Sequence, residues 1–578
     1  MSNLEKIAKE LKSVIGDYDP DLFASRIVSI IHGLTHPWNK SIIKEMVSPF
    51  RQLLYLLNLN LTSAPKKGYK EFSFEGGEWE RLVILLNEME EMHKKEYGEL
   101  KPVPKDLLTE LDEDEALRRR MVGISTYNAF FHQGPLHFEE QTIEKVVEIF
   151  KGFNIELKKK FGWNALDFIS LYDRLDNVRQ GKQDSVFIKQ KTKREPSREE
   201  FTATAMAALK SGHSFQEAMM QASPFDTAIF EYQDNPSKVN TFTIDDLQGV
   251  SDELIEVLIT SLTSDRRLDD KFLFFSQSNQ IIRKPIYKLD NGDFLVIEHR
   301  LLLSAMFSFL QSKCLEISKN KNRVTVARDK FLERKVEDIF REFYKKEEQA
   351  KVFPSYFIDG VERDLLVLSK DTALIIEAKA GNVREPMFDP DKAYSKIWSD
   401  FKETIDYGYE QAFSVKEKFL KKQTFEITDN KGNTIHSINP KIYKNIFCII
   451  VTYNKFGHAQ SDLWMMLDLY DDDNYPWAVC VDDLEIFLLA MDKLKFSLSD
   501  FHRFLRLRSD LHGNLIVNDE GRVLGHYLIN KRFSGQTGAY RFSAKDGAIF
   551  DELYSTGLGI KNERYLDRKI DPRFKKLH

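Results

Sequence analysis

Cysteine is scarce in this chain: Cys314, Cys448 and Cys480 are the only three in 578 residues. They are far apart and form no CxxC pair, which excludes a disulfide framework and a cysteine-rich zinc site and indicates a reducing compartment. Long apolar runs are missing too, since none approaches the roughly 18 residues that span a bilayer. The first residues, MSNLEKIAKELKSVIG, are charged and helix-like, unlike a signal peptide. The expectation is a cytoplasmic protein without a membrane partner. An excess of positive charge is also absent: 84 Lys and Arg stand against 90 Asp and Glu, a net charge of -6. A polyanion would therefore have to be met by a local basic groove. No GxxxxGK[ST], HExxH or GxSxG pattern occurs, which removes P-loop nucleotide hydrolysis, zinc metalloprotease chemistry and the serine-hydrolase elbow.

What is present describes a globular chain, 42% apolar and 30% charged with 43 Phe. At roughly 100 to 200 residues per domain the length predicts two to four domains. Residues 1–235 read as a helical region, because Phe23, Ile27, Ile30 and Ile31, and later Ile143, Val146, Val147 and Phe150, recur at helical spacing. KPVPKDLLTELDEDEALRRR (101–120) reads as a loop feeding a charged helix, and KQKTKREPSREE (189–200) as a solvated connector. Residues 236–325 read as a bridging region, with a hairpin about Asp290-Asn291-Gly292 and a helix after it. Residues 326–530 mix a helix at 327–346, a hairpin within 363–381, a helix near 391–422, a second hairpin about 429–432 and a strand at 445–453. In FHRFLRLRSDLHG (501–513), His502, Arg503, Arg506 and Arg508 beside an apolar stripe read as a solvated face. Residues 531–578 form a basic tail. The fold class is α+β and multidomain: a largely helical N-terminal region, then an α/β domain with a central mixed sheet.

The chemistry concentrates in RDLLVLSKDTALIIEAKAG (363–381). If Lys370-Asp371 is a two-residue turn, paired residue numbers sum to 741 and Asp364 falls opposite Glu377; a three-residue loop would break that register. Alternation along a strand puts Glu377 and Lys379 on one face. Opposed Cβ atoms lie about 4.5 to 5.5 Å apart, so two bare carboxylates there repel, and a hard divalent cation, Mg²⁺ or Mn²⁺, would relieve the conflict. Lys379 would then stand beside the ion, able to orient a water or offset charge on a phosphate. An ordinary ion pair across a solvated sheet face is the competing reading.

This stretch resembles the PD-(D/E)XK, or restriction-endonuclease-like, nuclease superfamily, over roughly residues 325–455, and in DLLV and IIEAKAG it is similar to bacterial nuclease-type proteins with NERD-like domains. The resemblance implies a helix, a hairpin carrying Asp and then Glu-x-Lys, and a further helix and strand. It assigns Asp364, Glu377 and Lys379 to catalysis, with metal held by Asp364, Glu377, the Ala378 carbonyl and a water on an acid of the first helix. That acid is Glu333 in FLERKVEDIF, with Glu337 as the alternative. Gln411 in DYGYEQAFSVKEKF matches a Gln of the later helix. The pattern departs from the family at Arg363, where Pro is usual, and at Val415, where some subfamilies have Tyr. The resemblance implies a Mg²⁺-dependent endonuclease, with DNA ahead of RNA as substrate and a role in DNA processing or antiviral defence. The helical region would meet a protein partner or a second copy of the chain. The alternative is a nucleic-acid-binding or assembly protein that keeps a nuclease-like core without cutting.

Overall fold

The computed structural model describes residues 3–34, 39–98, 122–123, 127, 137–191, 197–213, 218, 221–222, 236–320, 322–381, 383, 390–471, 473–517, 519–533 and 540–564. The segment 101–120 and the middle of the 189–200 connector lie outside these residues. The chain is α+β. Among the described residues no helix is long and apolar enough to cross a membrane.

Two compact units form, residues 1–90 with 150–317 and residues 91–149 with 318–578. This differs from the four-part reading in two ways. The bridging region belongs with the helical first unit, and the helix Glu139–Phe150 contributes most of its length to the second unit. Helical periodicity reveals a buried face but not which distant segment covers it.

In the first unit the helix Pro20–His32 is capped by Asp19, whose carboxylate accepts the Leu22 N–H at 2.9 Å. It buries Phe23, Ile27, Ile30 and Ile31, as the spacing predicts. A small sheet runs β1 (Thr241–Phe242), β4 (Phe294–Val296), β3 (Ile286–Lys288), β2 (Thr263–Ser264). The β3/β4 turn closes at Asp290-Asn291-Gly292, with Gly292 at φ 92° and Leu289 N–H donating to the Asp293 carbonyl at 2.8 Å. The helix His299–Ile317 follows.

The second unit is organised around a seven-stranded mixed sheet: β5 (Lys351–Ile358), β6 (Val361–Ser369), β7 (Thr372–Lys379), β8 (Phe425–Thr428), β9 (Thr434–Ile438), β10 (Asn445–Thr452) and β11 (Trp477–Cys480). Their order is β11-β10-β7-β6-β5-β8-β9. Strands β5, β6 and β7 form an antiparallel meander, while β10 joins β7 in parallel, Thr372 against Asn445 through Lys379 against Thr452. A parallel neighbour requires a crossover. It is made by the helix Pro390–Phe401, a π turn at Lys402–Asp406 and the helix Tyr407–Leu420. Leu365–Leu368 and Ala373–Ile376 are all buried, as expected of central strands covered on both faces. One face carries Leu366, Leu368, Ala373 and Ile375 against Tyr409, Ala412, Val415 and Phe419 of the crossover helix. The helix Asn322–Tyr344, five residues longer at its start than predicted, also packs on the meander and buries Phe331, Leu332, Val336 and Phe340.

Two corrections concern the C-terminal part. Arg508 does not lie on a solvated face. It is 1% exposed, and its Nε and Nη2 each donate to the Glu520 carboxylate at 2.9 Å, with the Ser461 carbonyl as a further acceptor. His502, Arg503 and Arg506 on the same helix bond to Tyr344, Asp500 and Asn445. The region after 531 is not wholly a tail either. The helix Ala544–Tyr554 packs on the helix Glu520–Asn530, so closely that a Cβ on Gly525 would stand 1.9 Å from the Asp546 carbonyl oxygen.

Removing one partner of a buried ion pair strands the other charge, so Arg508→Ala is expected to cost about 3 to 5 kcal/mol. Arg508→Met combined with Glu520→Leu should recover most of that loss. Urea unfolding followed by tryptophan fluorescence measures both, and an undiminished midpoint in Arg508→Ala would contradict the buried pair.

Candidate active site

The β6/β7 register is the one that the two-residue turn demands. Ser369 pairs with Thr372 and Leu365 with Ile376, so every pair sums to 741. Lys370 takes a left-handed φ of 50°, unusual for a side chain with a Cβ, and its ammonium is held by Glu347 at 2.8 Å. The ladder ends one pair before Asp364. There the Asp364 carboxylate, rather than a backbone carbonyl, accepts the Ala378 N–H at 2.7 Å.

Asp364, Glu377 and Lys379 meet at this end of the sheet. Lys379 Nζ donates to Asp364 Oδ2 at 3.0 Å and to Glu377 Oε2 at 2.6 Å. The repulsion expected between the two carboxylates is therefore offset by the lysine that follows them. Glu377 is 1% exposed, and its Oε1 has no hydrogen-bond partner. Desolvation pushes its carboxyl up to about 7, with Lys379 opposing and Asp364 adding to the rise. Desolvation also acts against the Lys379 ammonium, but Glu377 and Asp364 outweigh it and hold its pKa above the ordinary lysine value.

Glu333 belongs to this group. Although its side chain reaches solvent, desolvation first and repulsion from Asp364 next raise its pKa, while Lys379 works the other way. Glu337, the alternative, instead accepts from Arg341 Nε at 2.6 Å along its own helix. Gln411 sits nearby but differently from the expected contact with water or phosphate: its Nε2 donates to the Tyr407 hydroxyl at 3.1 Å, and its buried Oε1 has no partner.

Several contributors escaped the reading of the sequence. Gly408 lets the crossover helix lie directly on the site, because a Cβ there would stand 2.9 Å from Ile450 Cγ2 and 3.2 Å from Lys379 Cγ. A glycine inside a helix was the available signal. Gly381 has an equally close neighbour, Thr404 of the π turn, whose Oγ1 would lie 1.9 Å from an added Cβ. Such π turns often mark functional positions. Arg363 Nη2 donates to Ser414 Oγ at 2.9 Å, so the residue before Asp364 ties β6 to the crossover helix. Tyr356, opposite Arg363, is fully buried with an unpartnered hydroxyl, and burial, then the nearby Glu377, drives its pKa far above the ordinary range.

Among the described residues no group of three or more His, Cys, Asp or Glu side chains is gathered closely enough to hold an ion by itself. The donors present fit a hard cation that keeps several waters: two carboxylates, one with a buried free oxygen, and a third acid near them. Comparison with family models, curated proteins and solved structures returns no match for this chain.

The raised Glu377 pKa has a defined sign. The folded chain keeps this proton up to about pH 7, while the unfolded chain loses it near 4.5, so folding stability falls as pH rises between those values. In EDTA, Glu377→Gln should match wild type at pH 4.5 and exceed it by up to about 3 kcal/mol at pH 8. Urea titrations at the two pH values read the difference, and parallel profiles would contradict the buried carboxyl.

Proposed function

We propose that the second unit is a metal-dependent nuclease of the PD-(D/E)XK type, hydrolysing phosphodiester bonds of DNA. The observation that carries this reading is the convergence of Asp364, Glu377 and Lys379 at the open end of the β6/β7 hairpin. The order of a helix, three antiparallel strands, a crossover helix and a parallel strand supports it. So does the third acid, Glu333, electrostatically coupled to Asp364.

In this reading Asp364, Glu377 and the Ala378 carbonyl hold Mg²⁺, for which Mn²⁺ can substitute, with a water on Glu333. When bound, the ion supplies Lewis-acid polarisation of the phosphate and acidifies water. Glu377 would serve as a ligand in its ionised form. Lys379, held between the two carboxylates, would orient the attacking water or balance charge developing on the phosphate. Gln411 acts indirectly, through Tyr407. The close seating of the crossover helix at Gly408 limits where Lys379 can swing.

The decisive comparison sets wild type against Asp364→Ala and Lys379→Ala on plasmid, single-stranded DNA and RNA, with Mg²⁺, Mn²⁺ or EDTA. We expect cleavage of DNA that EDTA abolishes and that each substitution lowers by about 100-fold or more. If wild type neither binds Mn²⁺ calorimetrically nor cuts any substrate, the core serves binding or assembly instead. Undiminished cutting in both variants would place the active site elsewhere. Gly408→Ala should also slow cleavage while leaving Mn²⁺ affinity within a few-fold of wild type, because the added methyl group crowds Ile450 and Lys379 rather than the carboxylates.

A further inference from the structure

The crossover helix presents one side chain whose ring the reaction above does not use. Tyr407 is 50% exposed at the start of that helix, immediately before the Gly408 backbone that lies against Lys379. Its hydroxyl is fixed by Gln411 Nε2 at 3.1 Å. Gln411 is in turn connected to the catalytic hairpin: Arg363, the neighbour of Asp364, donates to Ser414 Oγ at 2.9 Å, and Ser414 Oγ donates to the Gln411 carbonyl at 2.7 Å. Residues 407, 411 and 414 recur at helical spacing, so the three share one flank of the helix. The face of another exposed ring of this unit, Tyr470, is already covered by Phe413, with centroids 4.2 Å apart. Among the described residues no ring stacks on Tyr407.

We propose that Tyr407 is a stacking platform for an unpaired DNA base next to the scissile phosphate, and that Gln411 is the positioning residue that sets its ring. The proposal rests on the nuclease reading and narrows the substrate to single-stranded or locally unpaired DNA. In this proposal a phosphate held at Lys379 would offer its neighbouring base to the ring one residue along the helix from Gly408, whose own added Cβ would stand 3.2 Å from Lys379 Cγ. A base paired within a duplex offers only its edge there, whereas an unpaired base can offer its face. The hydroxyl is anchored and half of the residue is open, so the ring is oriented before the base arrives and little freedom is lost on binding. The unpaired Oε1 of Gln411 fits a side chain whose amide is committed to one task.

The test uses the full chain carrying Asp364→Asn, which removes cutting from the measurement, and a single-stranded oligonucleotide containing 2-aminopurine, whose fluorescence falls when it stacks. Quenching on binding is expected, with Tyr407→Ala abolishing it and weakening affinity about 5- to 100-fold, and Tyr407→Trp retaining both. Gln411→Leu should weaken binding on the Tyr background and have no further effect on Tyr407→Phe, which a merely structural role would not produce. Equal quenching and affinity in Tyr407→Ala overturn the platform, as does tighter binding of blunt duplex than of single strand. The two readings fail separately. Cutting by the chain with Asp364 intact, without dependence on Tyr407, keeps the nuclease and removes the platform. Tyr407-dependent quenching without any cutting keeps the platform and removes the nuclease. No binding to any oligonucleotide overturns the platform.

Discussion

Everything distinctive in the second unit follows from one buried carboxylate. Glu377 continues a strand whose four preceding residues are completely enclosed, so its charge is placed where water cannot solvate it. An isolated carboxylate in such a place would take up a proton, and this one is drawn halfway there. Lys379, two residues on and therefore on the same face, provides the nearest compensation. Asp364 completes the arrangement from the facing strand by accepting both the lysine and the Ala378 N–H. The result is stable enough to exist but leaves one oxygen without a partner. A group retained at such a cost is a common sign of a working site.

The surroundings keep this arrangement from relaxing. Gly408 and Gly381 bring the crossover helix and the π turn to distances at which an added methyl group would force neighbouring side chains to shift, and Arg363 ties β6 to the same helix through Ser414. The unpartnered hydroxyl of Tyr356 and amide oxygen of Gln411 belong to the same region. Polar groups left unsatisfied this close to Asp364, Glu377 and Lys379 trade stability for readiness to accept new partners.

Elsewhere in this unit several buried charges meet direct partners. Lys145 bonds Asp482 at 2.6 Å, Lys335 bridges Glu144 and Glu485 at 2.5 Å each, and Arg508 holds Glu520 through two nitrogens. The Lys145 and Lys335 pairs link helices that are distant in sequence, and the Arg508 pair joins two consecutive helices.

Much of the hairpin was legible without coordinates. Given a two-residue turn at Lys370-Asp371, the two apolar runs and strand parity lead to the register, and with it to the meeting of Asp364, Glu377 and Lys379, because strand pairing is a local geometric rule; the turn length itself was a condition that the fold settled. Glu333 was already preferred to Glu337 from its place beside the apolar face of its helix, whereas the contacts of Gly408, Gln411 and Arg363 depended on how a helix and a sheet pack across long sequence separations. So did the burial of Arg508, which an amphipathic pattern represents as a surface residue. The same holds for the division into two units, in which the chain leaves one core and returns to it after residue 150. Periodicity determines which face of an element is apolar, while only tertiary packing decides what meets that face and which charges are taken out of water with it.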